Sequence, residues 1–189
     1  MVHRGGPRVR DRYMTALSGI FVIAELNGSL ASWVAGIQRA QDPRLAALWP
    51  PHITLIGSSG AGPILADTTV DELRKKLEPV AKQTAPIDAA FLPPIRFPGR
   101  DIVVLPLDPH GALRTLHESM KKSGLRTHQA RYPFTPHCTL TMYPPLERER
   151  EQRLLALRLE EPFVISRLRV VLTRDPQPPT PLLELLLGA

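Results

Sequence analysis

The sequence predicts an α+β fold, a bilobal domain in which two pseudo-symmetric antiparallel sheets lie side by side around a central groove with helices outside. Three observations predict it. Short β-branched runs alternate with stretches whose apolar residues recur every three or four positions, so strands and helices interleave. The order of elements is similar in the two halves, although no strict repeat exists. Each half also holds a strand of one pattern, Pro-His-x-Thr-Leu, at 51–55 ("PHITL") and 136–140 ("PHCTL"), with His137 85 residues after His52.

The elements follow in order. "SGIFVIAEL" (18–26) is a buried strand ended by "NGS". Ser29 is the expected cap of a helix whose Leu30, Trp33, Val34 and Ile37 form one apolar face. "DPRLAALWPP" reads as a loop, "HITLIG" as a strand, and "SSGAGPILADT" as a flexible connection rich in glycine and small residues. Thr69 and Glu72 carry a capping-box signature for "VDELRKKLEPVAKQ", which Pro79 should end or kink.

Strands near "PIDAAFL" and "DIVVLPL" are joined by a turn around Pro98 and Gly99. Asp108 and Pro109 open a helix with Leu113, Leu116 and Met120 on its apolar face, closed by Gly124. After a polar, basic and aromatic loop (125–136) come the strand "HCTLTMY", a solvated helix beginning in "LEREREQR", and strands in "FVISRLRVVL" and "LLELLL" with "PQPPTP" as their turn.

At 189 residues the chain fits one folding unit, taken as residues 18–189 behind a disordered basic tail over 1–17 with Met14 as a candidate start. The hydrophobic share of 43% and charged share of 22% are those of an ordinary globular protein. The formal charge of +6 favours an anionic partner, but half of it sits in the first twelve residues, with Arg4, Arg8, Arg10 and Arg12 against Asp11. Cys138 is the single cysteine, which excludes an internal disulfide framework and a cysteine-based zinc cluster and fits a cytoplasmic home. Basic residues followed by "ALSGIFVIA" mimic a secretory signal, but "FVIAEL" reads better as the first buried strand. No run is long enough to span a bilayer.

Alternation along a strand puts His52 and Thr54 on one face and Ile53 and Leu55 on the other. In the second copy His137, Thr139 and Thr141 share a face opposite Cys138, Leu140 and Met142. One copy is compatible with a histidine satisfied at a strand end. Two by chance are expected in roughly one chain of several thousand, so the pair requires a shared cause. Two imidazoles that titrate near neutrality suit concerted base and acid catalysis of in-line displacement at phosphorus. Threonine hydroxyls can hold the non-bridging oxygens, and no metal is then required.

These motifs resemble the paired His-x-Thr motifs of the 2H phosphoesterase superfamily, particularly its bacterial branch of 2′-5′ RNA ligase or RNA 2′,3′-cyclic phosphodiesterase proteins. The resemblance covers about residues 18–187 in motif placement and element order. It implies a bilobal fold with both motifs on one groove, and cofactor-free hydrolysis of 2′,3′-cyclic phosphate RNA ends or small cyclic or 2′-5′ linked nucleotides, with ligation as the reverse activity. It implies His52 and His137 as the acid and base pair and Thr54 and Thr139 as phosphate ligands. Ile56 and Gly57 after the first motif, and Thr141, Met142 and Tyr143 after the second, depart from RNA-acting members, which often place a basic or aromatic residue there.

For the rest of the ligand, "RTHQARYPFTPH" offers Arg131 and Tyr132, an arginine for phosphate and a ring for stacking on a base, with Tyr143 a third candidate. Phe134 is expected in the core and Arg126 in solvent. His117 shares the apolar face of its helix and is expected to be a packed histidine. Trp49 is a candidate wall of the groove, with a core role as its alternative. A non-catalytic nucleotide-binding module is the competing function, and a monomer without membrane association is the expected state.

Overall fold

The computed structural model describes residues 18–159, 161–174 and 177–189. The expected tail over 1–17, with its arginines and Met14, lies outside the described residues. Nine strands are described: β1 (Gly19–Glu25), β2 (His52–Ile56), β3 (Ile87–Ala89), β4 (Ile95–Arg96), β5 (Val103–Pro106), β6 (His137–Thr141), β7 (Phe163–Ile165), β8 (Arg167–Arg174) and β9 (Gln177–Leu186). The described helices are α1 (Gly28–Gln41), α2 (Pro43–Leu48), α3 (Val70–Gln83), α4 (Ala112–Lys121) and α5 (Arg148–Leu155).

Seven strands form one antiparallel sheet in the order β4-β5-β6-β2-β1-β8-β9, and β3 pairs with β7 in a small second sheet. The two expected sheets are the wings of the larger one, and they join where β2 pairs with β6 at one register position, Ile53 opposite Cys138. Both Pro-His-x-Thr-Leu strands therefore lie at the centre of the sheet, side by side.

Strand alternation separates two faces. Ile20, Val22 and Ala24 of β1, Ile53 and Leu55 of β2, and Cys138 and Leu140 of β6 belong to the main core, with Leu30 and Val34 of α1, Leu73 and Leu77 of α3, and Leu113, Leu116 and Met120 of α4. Phe21 and Ile23 of β1 turn the other way and meet Val171 and Trp49 in a second, small apolar cluster. Cross-strand partners share a face, so the pairing of Ile23 with Thr54 and of Glu25 with His52 puts the His-x-Thr side chains beside that cluster, away from the helices.

Several local expectations change. Asn27, not Ser29, takes the N-cap position of helix α1, without a capping bond from its side chain, and the Ser32 hydroxyl returns to the Gly28 carbonyl. "DPRLAALWPP" holds α2 rather than a loop: Asp42 accepts from the Leu45 amide at 3.0 Å and Pro43 sits in the first turn, where its missing N–H costs nothing. Helix α3 starts at Thr69 as expected, with the Glu72 amide 3.2 Å from its hydroxyl, but runs through Pro79 to Gln83. Pro79 and Lys75 are both exposed to solvent, so water can take the carbonyl that Pro79 leaves without a donor.

The stretch expected to be flexible, 58–68, is pinned on both sides. Ile20 and Ile64 exchange both backbone hydrogen bonds, and the amides of His128 and Arg131 donate to Pro63 and Ser58. Gly62, at φ +82°, allows this approach, since a Cβ there would lie 2.1 Å from the His128 carbonyl oxygen. The prolines of "PQPPTP" belong largely to β9, an edge strand, where a residue without an N–H is tolerated.

Candidate active site

The site is built around the Ile53–Cys138 pair. Because β2 and β6 run antiparallel, that register turns His52 towards Thr139 and Thr54 towards His137, an approximate twofold arrangement on one face. All four side chains are half-buried, while Ile53, Leu55, Cys138 and Leu140 behind them are fully buried. Burial, opposed by a bond to the His52 backbone, leaves the Cys138 thiol with its pKa pushed up to about 12, an inert packing group.

The two imidazoles are posed alike. His52 Nδ1 lies 2.7 Å from the Pro50 carbonyl oxygen, and His137 Nδ1 lies 2.7 Å from that of Thr135. A carbonyl can only accept, so Nδ1 carries the proton in both rings and Nε2 is left as the reactive nitrogen. Each ring also packs on an aromatic: Trp49 lies 4.8 Å from His52 between centroids, and Phe97 meets His137 edge-on at 5.0 Å.

Burial lowers both histidine pKa values. His52 falls to about 4, chiefly through desolvation, opposed by the Pro50 carbonyl and reinforced by the nearby His137. His137 is lowered by desolvation against the opposing Thr135 bond. Both rings are neutral at pH 7, so either Nε2 can accept a proton. An anion between them would favour protonation, which supplies the matching acid.

The remaining candidates fall at opposite ends of the seam. Arg131 and Tyr132 lie beyond Thr54 and His137, held to the first motif's outgoing loop by bonds from the Arg131 amide to Ser58 and from the Gly60 amide to Tyr132. Tyr132 is 48% exposed, with its hydroxyl 3.5 Å from Arg100 Nη2. Tyr143 lies at the His52 and Thr139 end, half-buried, with the Arg44 guanidinium 4.1 Å from its ring centroid. The structure thus divides these three residues between the two ends. Phe134 is core, Arg126 pairs with Asp67 in solvent, and Trp49 walls the site at the His52 end.

Sequence reasoning missed Asp42. This buried carboxylate accepts from the amides of Leu45, Met142 and Tyr143, at 3.0, 2.8 and 2.9 Å, and so ties the end of β6 to α2. Arg150 of α5 closes the same corner through the Thr141 hydroxyl at 2.8 Å and the Gln41 carbonyl, and Gln38 Nε2 holds the Thr139 carbonyl at 2.8 Å. The Asp-Pro pair at 42–43 was a legible signal, an aspartate cap followed by proline in the first turn, whereas the Asp-Pro at 108–109, expected to open α4, lies before a helix that starts at Ala112 with Gly111 in the cap position. Phe97 and Arg100 gave none, because only the β4–β5 hairpin brings them near the second motif.

Among the described residues no group of three or more His, Cys, Asp or Glu side chains could hold a metal ion, and no helix is long and apolar enough to cross a membrane.

The fold and the paired motifs define the two-histidine phosphoesterase class. A sequence-family model, the 2′-5′ RNA ligase superfamily, matches residues 27–177, and the chain belongs to that family. A protein of Oceanobacillus iheyensis named "Putative phosphoesterase OB1230" is 30% identical over 105 residues, 55% of this chain. The chain spans 58% of the length of that relative. E. coli LigT, solved in complex with NADP+, superposes with a TM-score of 0.59 at 14% identity, over 91% of this chain and 99% of LigT. TT0787 of Thermus thermophilus also gives 0.59, at 20% identity over 90% of this chain and 98% of that one. LigT has also been solved with 3′-AMP, at a TM-score of 0.55 and 16% identity over 91% of this chain and 99% of that one.

Proposed function

We propose that this protein hydrolyses 2′,3′-cyclic phosphate ends of RNA, or related small cyclic and 2′-5′ linked nucleotides, by general acid and base catalysis from His52 and His137 without a metal. The observation that carries this reading is the twofold placement of each imidazole opposite the other motif's threonine, with both Nδ1 atoms committed to backbone carbonyls.

In the proposed reaction a phosphodiester sits over the Ile53–Cys138 pair. The Nε2 of one histidine removes a proton from water, whose oxygen attacks phosphorus. The other histidine, protonated on Nε2 while the anion is bound, gives its proton to the departing ribose oxygen, leaving a monoester and a free hydroxyl. Thr54 and Thr139 donate to the non-bridging oxygens, where charge builds up in the transition state. The near equivalence of the two halves lets the orientation of the ester select which histidine is the base, and ligation follows when the hydroxyl of a second nucleotide replaces water in attacking a cyclic phosphate, the opened ribose oxygen taking the proton as before.

Residues at the two ends would hold the flanking nucleoside groups: Tyr132 and Arg131 at one, Tyr143 and Trp49 at the other. The test is turnover, in chelator, of nucleoside 2′,3′-cyclic phosphates, a 2′-5′ linked dinucleotide and cyclic dinucleotides, with the His52→Ala, His137→Ala double variant as control. Turnover by the unaltered protein alone is expected. Equal turnover by the double variant overturns the assignment, and nucleotide binding that survives it without any turnover identifies a binding module.

A further inference from the structure

We propose that His117 of α4 is a positioning residue that ties the two His-x-Thr strands to one another. The proposal rests on the reaction just described. It starts from a fully buried imidazole that takes no part in that reaction.

His117 Nδ1 lies 2.7 Å from the Leu55 carbonyl oxygen, to which it donates. Leu55 directly follows Thr54. The β2–β6 pairing is set at Ile53 and Cys138, and two residues further on it is a helix side chain that takes the carbonyl. The same ring lies flat on Phe134, 3.9 Å between centroids and 6° from parallel. Phe134 directly precedes Thr135, whose carbonyl orients His137. Arg114, one turn earlier on α4, donates to the Phe134 carbonyl at 3.0 Å. One helix face therefore grips the outgoing end of the first motif and the incoming end of the second.

Gly60 closes the arrangement. It passes at φ +78° so near that a Cβ would lie 2.4 Å from His117 Nε2 and 2.9 Å from the Phe134 Cβ, while its amide donates to the Tyr132 carbonyl at 2.8 Å. The loop bearing Arg131 and Tyr132 is thus fastened over the same ring. His117 Nε2 has no hydrogen-bond partner beneath it, and the Glu118 carboxylate stands 3.9 Å away. An unpartnered buried nitrogen is unfavourable, and phenylalanine would stack on Phe134 without one. What phenylalanine lacks is the N–H for Leu55, and that bond is the reason for an imidazole here.

Two substitutions separate positioning from packing. H117F keeps the stack and removes the donor, whereas H117N keeps a donor near the Nδ1 position and removes the stack. Both are assayed on a nucleoside 2′,3′-cyclic phosphate well below their melting temperatures. In H117F, kcat is expected to fall at least tenfold with KM within twofold of the unaltered protein. H117N is expected to melt lower than H117F yet keep kcat within about threefold of wild type. Activity that follows melting temperature, with H117F above H117N, overturns the proposal, as does wild-type kcat in both. If H117N does not fold, H117F alone decides: lost kcat at an unchanged melting temperature supports it, and a parallel loss of both overturns it.

Silence of the wild type counts against the proposed reaction only. The tie between the strands is then read from amide hydrogen exchange at residues 137–141, expected at least tenfold faster in H117F than in H117N, and equal rates overturn it.

Discussion

His52 and His137 hold their rings by the same bond, each placing Nδ1 2.7 Å from the carbonyl oxygen two residues upstream. The residues supplying those carbonyls, Pro50 and Thr135, each precede the proline that opens a motif. Proline restricts the residue before it to extended conformations, which is one reason the two approaches are alike. The likeness of the motifs thus extends from sequence to ring pose, and from it follow expectations about pH.

Burial lowers both imidazole pKa values from the ordinary 6.5, with His52 at about 4. In the unfolded chain each ring binds its proton near pH 6.5, so between that pH and the folded pKa unfolding takes up protons. The stability contribution of the neutral rings is complete above pH 6.5 and is lost as the pH falls towards 4. Melting temperature is expected to drop across that window, and less steeply in a His52→Ala, His137→Ala variant. For the reaction, kcat/KM should be bell-shaped with its maximum below pH 6.5, because both free-enzyme values lie there. A maximum above pH 7 would contradict this electrostatic reading.

Thr139 and Thr141 share a strand face but differ in their commitments. Thr141 is fully buried and bonded to Arg150, whereas Thr139 is half-buried on the site. Thr139→Val should lower kcat/KM by about 10²-fold with little change in melting temperature, as should Thr54→Val. Thr141→Val should do the reverse, lowering the melting temperature with a much smaller kinetic effect. Steady-state kinetics beside thermal unfolding separates the two outcomes.

Asp42 holds three backbone amides that β6 and α2 cannot satisfy otherwise. Asp42→Ala should cost about 3 kcal/mol, since buried donors are left unpaired. That corresponds to a fall of about 6–12 °C in a chain of this size. Asp42→Asn retains an accepting oxygen and should recover part of the loss. Calorimetry of the three proteins measures both differences.

The two ends of the site should be separable by substrate length. Tyr132 is exposed and Tyr143 lies against Arg44. Tyr132→Ala should leave the melting temperature unchanged and raise KM several-fold for a dinucleotide, with little effect on a nucleoside cyclic phosphate. Tyr143→Ala should also lower the melting temperature by a few degrees, because its ring is part of the Asp42 corner. Equal KM effects on both substrates from Tyr132→Ala would show that this end makes no additional contact.

Much of this protein is local in origin and was legible as such. Period-two alternation set Ile53 and Cys138 inward and the histidines and threonines outward. Pro-His-x-Thr-Leu named the four central side chains, and the three-and-four spacing of Leu113, Leu116, His117 and Met120 gave the buried face of α4. Tertiary structure alone decided the rest, because hydrogen-bond partners far apart in sequence leave no periodic trace. Gln38 meets Thr139 across 101 residues, Asp42 meets Tyr143 across 101, and His117 meets Leu55 across 62. Glycines at 60 and 62 read as flexibility in the chain, but in the fold they are the positions where two loops approach too closely for any side chain. The strand pattern determined which residues face the site, and long-range packing determined the register that sets each histidine opposite the other motif's threonine.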